Sequence, residues 1–259
     1  MHAAEREKLI LEALSGSGFV SYRELEASLA ASPATIRRDL ARLEEQGRIR
    51  RVHGGAKAVE TEEDTISPLA LKGTPFAKSI ALNLAAKCAI GKAAAQLCQP
   101  GQGVIIDGGS TTYQMCEHLA GKDLQVLSNS LHIINALLPQ DGTTLLVPSG
   151  TIFREQNIIL APSGEHSMPE FHAARLFIGA AAVSARGIFQ ADTVLVASQR
   201  RLLEASDEVV LLVDSSKFAV SSGAIVCPLD RIDVVVTDSG INDEVRALLE
   251  KHCGRVLVV

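Results

Sequence analysis

Apolar positions follow a helical period at the start of the chain and a strand-and-helix alternation further on. Residues 5–15 place Leu9, Ile10, Ala13 and Leu14 on one face and Glu5, Arg6, Lys8 and Glu12 on the other, which predicts an amphipathic helix. The run "SGSG" at 15–18 is expected to stop it. A second helix is expected from Ser21. There Ser21 and Glu24 have capping-box spacing, each side chain satisfying a free backbone N–H, and Leu25 and Leu29 form the core face. A third begins with Ser32 as N-cap and Pro33 in the first turn, where a missing N–H costs little. Ile36, Leu40 and Leu43 are its buried stripe, and Gly47 ends it. "RIRRVHGG" at 48–55 then alternates as a short hairpin would, with Ile49 and Val52 inward and arginines outward. Three short helices and a ribbon predict a winged helix-turn-helix over residues 1–57, with the third helix as the reader.

Residues 58–78 break the composition with four close acidic residues, then Pro68 and Pro75, and read as a linker. From residue 79 the pattern changes. A long Ala-rich helix, "SIALNLAAKCAIGKAAAQL", precedes "GVIIDGGSTT". Apolar runs then recur between helical stretches: "LQVLSNS", "TTLLVPSG", "RLFIGA", "EVVLLVDSSK", "DVVVTD" and "GRVLVV". Strands buried on both faces and alternating with helices predict a mostly parallel α/β domain over 79–259.

Charge sharpens this division. The chain of 259 residues has a formal net charge of −5, yet residues 1–57 hold ten Lys/Arg against eight Asp/Glu, and the remainder fifteen against twenty-two. Residues 32–57 alone hold seven against three. A basic end on an acidic body fits a nucleic-acid reader joined to something else. The candidate DNA-binding residues are Tyr22, Ser32, Thr35, Arg37, Arg38, Arg42, Arg51 and His53, with Arg48 and Arg50 beside them on the ribbon. Arginine suits the task because its planar fork pairs with guanine edges or phosphate oxygens. Two alternatives stand beside this reading. The arginines could form a solvated face paired with Asp39, Glu44 and Glu45, or residues 1–57 could dock a protein.

In parallel α/β sheets ligands bind beyond the carboxyl ends of the strands. "IIDGGSTTYQMCEHL" runs from a strand through a Gly-Gly turn into hydroxyls at a helix start. Gly108 and Gly109 allow close backbone approach, and Ser110, Thr111 and Thr112 offer hydroxyls beside free N–H groups, a cradle suited to phosphate. The alternative is an ordinary strand-to-helix turn with a hydroxyl cap. Ser128, Asn129 and Ser130 repeat the theme, and Lys217, near Asp214, could supply the cation a phosphate needs.

Several function classes are disfavoured. The chain has no GxxxxGK[ST], no GxSxG and no GxGxxG after a strand. Its five cysteines form no CxxC and its seven histidines no HExxH, so neither a metal nor a cofactor is expected. No apolar run approaches the roughly 18–20 residues of a membrane span. The charged, amphipathic start is unlike a signal peptide, so a cytoplasmic protein without a membrane partner is expected.

The stretch "SPATIRRDLARLEEQGRIRRVHGGA" resembles the DNA-binding signature of the DeoR family of bacterial transcriptional regulators. "IDGGSTT", "LSNSLHI", "FIGAAAVSARGIF", "DSSKF" and "IDVVVTD" follow in that family's order and spacing, so the resemblance spans nearly the whole chain. It implies a winged-helix repressor of a carbohydrate catabolic operon, with a C-terminal domain like ribose-5-phosphate isomerase. Its partners would be a double-stranded DNA operator, a phosphorylated sugar or sugar acid as effector, and further copies of itself in a dimer or tetramer. Asp107, Gly150 and Arg154 join the implied effector-binding set. Members often have Thr where this chain has Ser110, and a Gly-Gly pair where it reads Pro148-Ser149-Gly150. The second function class is a sugar-phosphate isomerase carrying a DNA-binding module. The isomerase "DGAD" and Gly-rich lysine loop are missing, which argues for binding without turnover.

Overall fold

Three helices and a three-stranded ribbon build the first of the two units into which the chain divides, Met1–Pro68 and Leu69–Val259. The computed structural model describes residues 3–17, 19–29, 31–52, 55–58, 74–162, 168–219 and 223–259. Helix α1 (Ala3–Ser17) continues past the expected stop, through Ser15 and Gly16. The propensity penalty of such residues is at most about 1 kcal/mol each, and burial of Ile10 and Leu14 outweighs it. Strand β1 (Phe19–Ser21) follows, too short to show as a sequence pattern. At the start of α2 (Tyr22–Leu29) the Ser21 amide donates to Glu24 Oε2 at 2.8 Å and the Glu24 amide to Ser21 Oγ at 3.2 Å, the reciprocal cap the spacing predicts. Helix α3 (Pro33–Glu45) has Ser32 as N-cap. Gly47, at φ +68°, turns the chain into β2 (Ile49–Val52) and then β3 (Gly55–Ala58). The antiparallel order is β1-β3-β2. Ile10, Leu14, Val20, Leu25, Leu29, Ile36, Leu40, Leu43, Ile49 and Ala56 form one buried cluster beneath it.

The second unit begins with α4 (Phe76–Ser79) and α5 (Leu84–Gln96), where the sequence pattern predicts a single long helix. The break is at Asn83, which sits at φ +52° and donates from Nδ2 to Asp214 Oδ1 at 2.9 Å. There follow β4 (Gly103–Ile106), a 3₁₀ helix (Thr112–His118), β5 (Gln125–Leu127), α6 (Leu131–Leu137) and β6 (Thr144–Leu146). The hairpin β7 (Thr151–Phe153) and β8 (Ile158–Leu160) leads to β9 (Ala173–Ile178), β10 (Ala182–Ser184) and β11 (Gly187–Gln190). The chain ends through α7 (Thr193–Glu204), β12 (Ser206–Leu212), β13 (Ala224–Cys227), β14 (Val234–Thr237), α8 (Asp243–His252) and β15 (Arg255–Val258).

Seven strands form one parallel sheet in the order β15-β14-β12-β9-β4-β5-β6, and they are the seven apolar runs of the sequence. Strands β10, β11 and β13 form a small antiparallel sheet that the sequence pattern does not show. Alternate residues of the large sheet feed opposite cores, as period-two geometry requires. Ile105, Leu127, Leu176, Ile178, Leu211 and Val235 pack with α7 and α8, while Val104, Ile106, Val126, Phe177, Val210 and Val236 pack with α5, α6 and the 3₁₀ helix. From β4 the chain winds to β5 and β6 on one side, then returns to β9 and β12 on the other. The winding therefore reverses between β4 and β9, where such sheets open a crevice at the strand ends. Among the described residues no helix is long and apolar enough to cross a membrane.

The glycine at position 91 fixes how closely α5 approaches the loop-bearing 3₁₀ helix. A Cβ there would lie 2.6 Å from the Gln114 carbonyl carbon and 2.9 Å from its oxygen, backbone atoms with little room to give. Gly91→Ala gains about 1 kcal/mol in helix propensity. Overpacking costs about 1–3 kcal/mol and wins here, because the neighbour is backbone. The variant is expected to have a lower urea midpoint than wild type; an unchanged or higher midpoint contradicts the packing described.

Candidate functional site

In the first unit, burial of Ile36, Leu40 and Leu43 turns the opposite side of α3 to solvent. Arg37 and Arg38 lie there, exposed and without an ion-pair partner among the described residues. Arg48 and Arg50 of the ribbon region are exposed in the same way. Ser32 Oγ accepts from the Thr35 amide at 3.3 Å and lies 2.8 Å from Thr35 Oγ1, so both hydroxyls sit at the exposed start of the helix.

Three of the expected DNA-binding residues also have contacts within the unit. Asp39 is buried and needs compensating charge. Arg6 supplies it with Nε 2.7 Å from Asp39 Oδ2, and Arg42 adds a contact at 3.3 Å while also pairing with Glu7. Arg42 is thus drawn toward α1. Arg51 donates its amide to Glu44 Oε1 at 2.9 Å and holds Nε 3.4 Å from Glu44 Oε2. Tyr22 is half-buried and packs against the core. His53 lies outside the described residues. Arg42 and Arg51 thus carry ion pairs of the kind the paired-face alternative expects, while Arg37 and Arg38 have no ion-pair partner among the described residues.

In the second unit a cavity of about 390 Å³ opens where the sheet's winding reverses. The residues just beyond β4, β5 and β9 enter it as Asp107, Asn129 and Gly179, and Leu212 at the end of β12 joins them. Gly108, Gly109, Ser110, Thr111 and Lys217 also line it. The amides of Gly109, Ser110 and Thr111 donate to no acceptor among the described residues. The Gly108 amide donates to Asn129 Oδ1 at 3.3 Å. A Cβ on Gly108 would lie 2.8 Å from Ile158 Cδ1 and 3.2 Å from Ser130 Cβ, so the chain here follows a path that suits glycine.

The remaining predicted effector residues do not reach the cavity. Thr112 Oγ1 donates to the Asp107 carbonyl at 2.7 Å, and Ser128 Oγ to the Ile106 carbonyl at 2.7 Å. Ser130 caps α6, its Oγ accepting from the Ile133 amide at 3.5 Å. These hydroxyls satisfy buried backbone groups and shape the loops from behind. Gly150, at φ +152°, packs against the Leu160 carbonyl, where a Cβ would lie only 2.1 Å away; its role is to let the β7–β8 hairpin close. Arg154 is exposed just after β7.

Other lining residues escape the sequence reading. Gly179, Ala180 and Ala181 follow β9 and carry the same small-residue signal at a strand end that picks out 108–109. Gln190 ends β11, and Ala191 and Asp192 follow it. Phe76, Ser79, Ser198 and Gln199 come from helices and give no such signal.

Asp107 is the buried charge of this site, 2% exposed. Burial pushes its carboxyl up to about 6, against hydrogen bonds from Gln199 Nε2 at 2.6 Å and Asn129 Nδ2 at 3.3 Å that favour the ionised form. A carboxyl raised in the folded state binds its proton more tightly there than in the unfolded chain. Stability therefore falls as pH rises from the ordinary carboxylate value to about 6, and the full cost persists above that. Asp107→Asn is expected to raise the melting temperature more at pH 8 than at pH 4.5. An equal change at both contradicts the assignment.

Residues 6–62 match the DeoR-like helix-turn-helix domain and residues 82–239 the DeoR C-terminal sensor domain. The chain belongs to the DeoR family. Its DeoR-type relatives include the HTH-type transcriptional regulator UlaR of Escherichia coli (strain K12 / DH10B) and that of Shigella sonnei (strain Ss046). Each is 32% identical over 260 residues, covering 100% of both chains. Among solved structures, ribose 5-phosphate isomerase A from Methanocaldococcus jannaschii aligns with TM-score 0.39 and 16% identity, over 52% of this chain and 55% of its own. eIF2B beta from Chaetomium thermophilum aligns with TM-score 0.39 and 16% identity, over 58% and 49%. The DeoR sensor-domain match contains most of the cavity lining, from Asp107 to Lys217, and the helix-turn-helix match contains Arg37 and Arg38.

Proposed function

We propose that this DeoR-family regulator is a repressor that binds an operator through α3 and the ribbon and is released by a phosphorylated sugar or sugar acid held in the C-terminal cavity. The observation that carries the reading is the cavity itself. It joins unoccupied amides at Gly109–Thr111, the Lys217 ammonium and the polar groups of Asp107, Asn129 and Gln199 in one space. The amides and Lys217 suit a phosphate; the carboxylate and carboxamides suit sugar hydroxyls. Asp107 would repel an anion at its side, so the phosphate belongs toward Lys217. Arg37, Arg38, Ser32 and Thr35 would meet DNA, with Arg48 and Arg50 along the backbone. Two or more copies would bind repeated half-sites. Full switching from 1:99 to 99:1 requires the effector to prefer the released state by about 5.5 kcal/mol.

Thermal-shift screening of the full chain against sugar and sugar-acid phosphates tests the reading, since a ligand of the folded state raises the melting temperature. One or a few members of the panel are expected to act, and their unphosphorylated forms to fail. A flat panel overturns the effector assignment. The raised Asp107 carboxyl favours one competitor, an isomerase using it as base. Incubation with pentose phosphates decides: no isomer exchange is expected, and sustained turnover displaces the repressor reading.

A further inference from the structure

Lys87 is 2% exposed, on a helix whose sequence reads as plain Ala-rich packing. A buried ammonium is costly unless paired. Among the described residues Lys87 has no ion-pair partner within 4 Å; Nζ donates to the Ser79 carbonyl at 2.5 Å. Burial lowers its affinity for a proton, with Asp214 near enough to oppose this and Lys217 near enough to add to it. Asp214 makes no ion pair with Lys87. Its Oδ1 already accepts from Asn83 Nδ2 at 2.9 Å and from the Ser216 amide at 3.1 Å, and its buried Oδ2 has no hydrogen-bond partner. Lys87 is therefore a buried cation without a paired carboxylate among the described residues, while Lys217 lines the cavity.

Ser79 connects this charge to the cavity. Its carbonyl is held by Lys87, and its hydroxyl lies 2.9 Å from Ser110 Oγ in the glycine-hydroxyl loop. Ser79 ends α4, whose Phe76 also lines the cavity and stacks on His132 at 3.7 Å between ring centroids. In the chain, α4 is the first described element after residues 59–73, which span the boundary between the two units.

We propose that Lys87 is a positioning residue that makes α4 respond to an anion in the cavity, acting through Ser79. This rests on the reading that the cavity takes a phosphate. An anion beside Lys217 supplies the negative charge that the lysine pair lacks. It thereby strengthens the Lys87 bond to the Ser79 carbonyl and draws α4 down on the cavity. The change is then passed along the chain toward residues 59–73.

The test is hydrogen–deuterium exchange on the full chain, with and without saturating inorganic phosphate, reading residues 74–83 against β14 as an internal reference. Phosphate is expected to raise the melting temperature and slow exchange across 74–83 by about threefold or more, leaving β14 unchanged. Lys87→Met is expected to keep a phosphate-induced rise in melting temperature and lose the slowing. Retention of the slowing in Lys87→Met overturns the proposal, as does a wild type stabilised by phosphate with no change at 74–83. If Lys87→Met does not fold, Lys87→Gln takes its place, keeping a donor for the Ser79 carbonyl but no charge: loss of the slowing supports the proposal and its persistence overturns it. A wild type whose melting temperature does not respond to phosphate fails one step earlier, removing the anion site and this proposal together.

Discussion

Replacing Arg37 and Arg38 together by alanine is expected to lower operator affinity by roughly 30- to 25,000-fold, since each good arginine contact to DNA is worth about 1–3 kcal/mol. Folding should be unaffected, because both side chains are exposed and unpaired among the described residues. Each arginine that touches a phosphate should also reduce the slope of log affinity against log salt by about 0.9. Arg42→Ala is the internal contrast. That change removes a partner of the buried Asp39, so its main effect should be a lower melting temperature. Fluorescence anisotropy on an operator recovered by selection from random duplexes, with thermal melts of each variant, separates these outcomes. If the Arg37/Arg38 double variant binds DNA like wild type, α3 does not read it, and the protein-docking alternative for residues 1–57 takes over.

The second large effect belongs to the cavity. Lys217→Ala should weaken binding of the active sugar phosphate by roughly 10- to 150-fold, the loss of one charge-assisted contact of about 1.5–3 kcal/mol. Thr111→Val should weaken it less, removing a hydroxyl while keeping the shape. Both variants should bind operator like wild type and respond poorly to effector. Calorimetry with the ligand and anisotropy with DNA measure the two sides separately. A well-folded Lys217→Ala that no longer binds operator would show that effector and DNA functions are not divided as proposed.

Much of this was legible because the decisive signals are local. Ser32-Pro33, the Ser21–Glu24 pair and the stripe Ile36, Leu40, Leu43 depend only on neighbours in sequence, and each appears where the pattern places it. The seven parallel strands announce themselves as apolar runs because both faces are buried. The misses depend on distant partners. Asn83 breaks the expected Ala-rich helix while bonded to Asp214, 131 residues away. Arg42 and Arg38 look alike in sequence, and only the packing of α3 against α1 pairs the first with Glu7. Thr112, Ser128 and Ser130 share their residue type with Ser110 and Thr111, yet their hydroxyls turn inward to backbone groups. Composition cannot tell a hydroxyl that meets a ligand from one that holds the loop meeting it. Lys87 is the extreme case, a charged residue that the Ala-rich pattern hides in the core.

Titration of the preformed protein–operator complex with the sugar phosphate that most raises the melting temperature is the direct measurement. Release of DNA is expected over the same concentration range in which that ligand saturates the wild-type cavity, and at correspondingly higher concentration in Lys217→Ala. A ligand that fills the cavity while operator affinity stays constant would contradict the link between the two units.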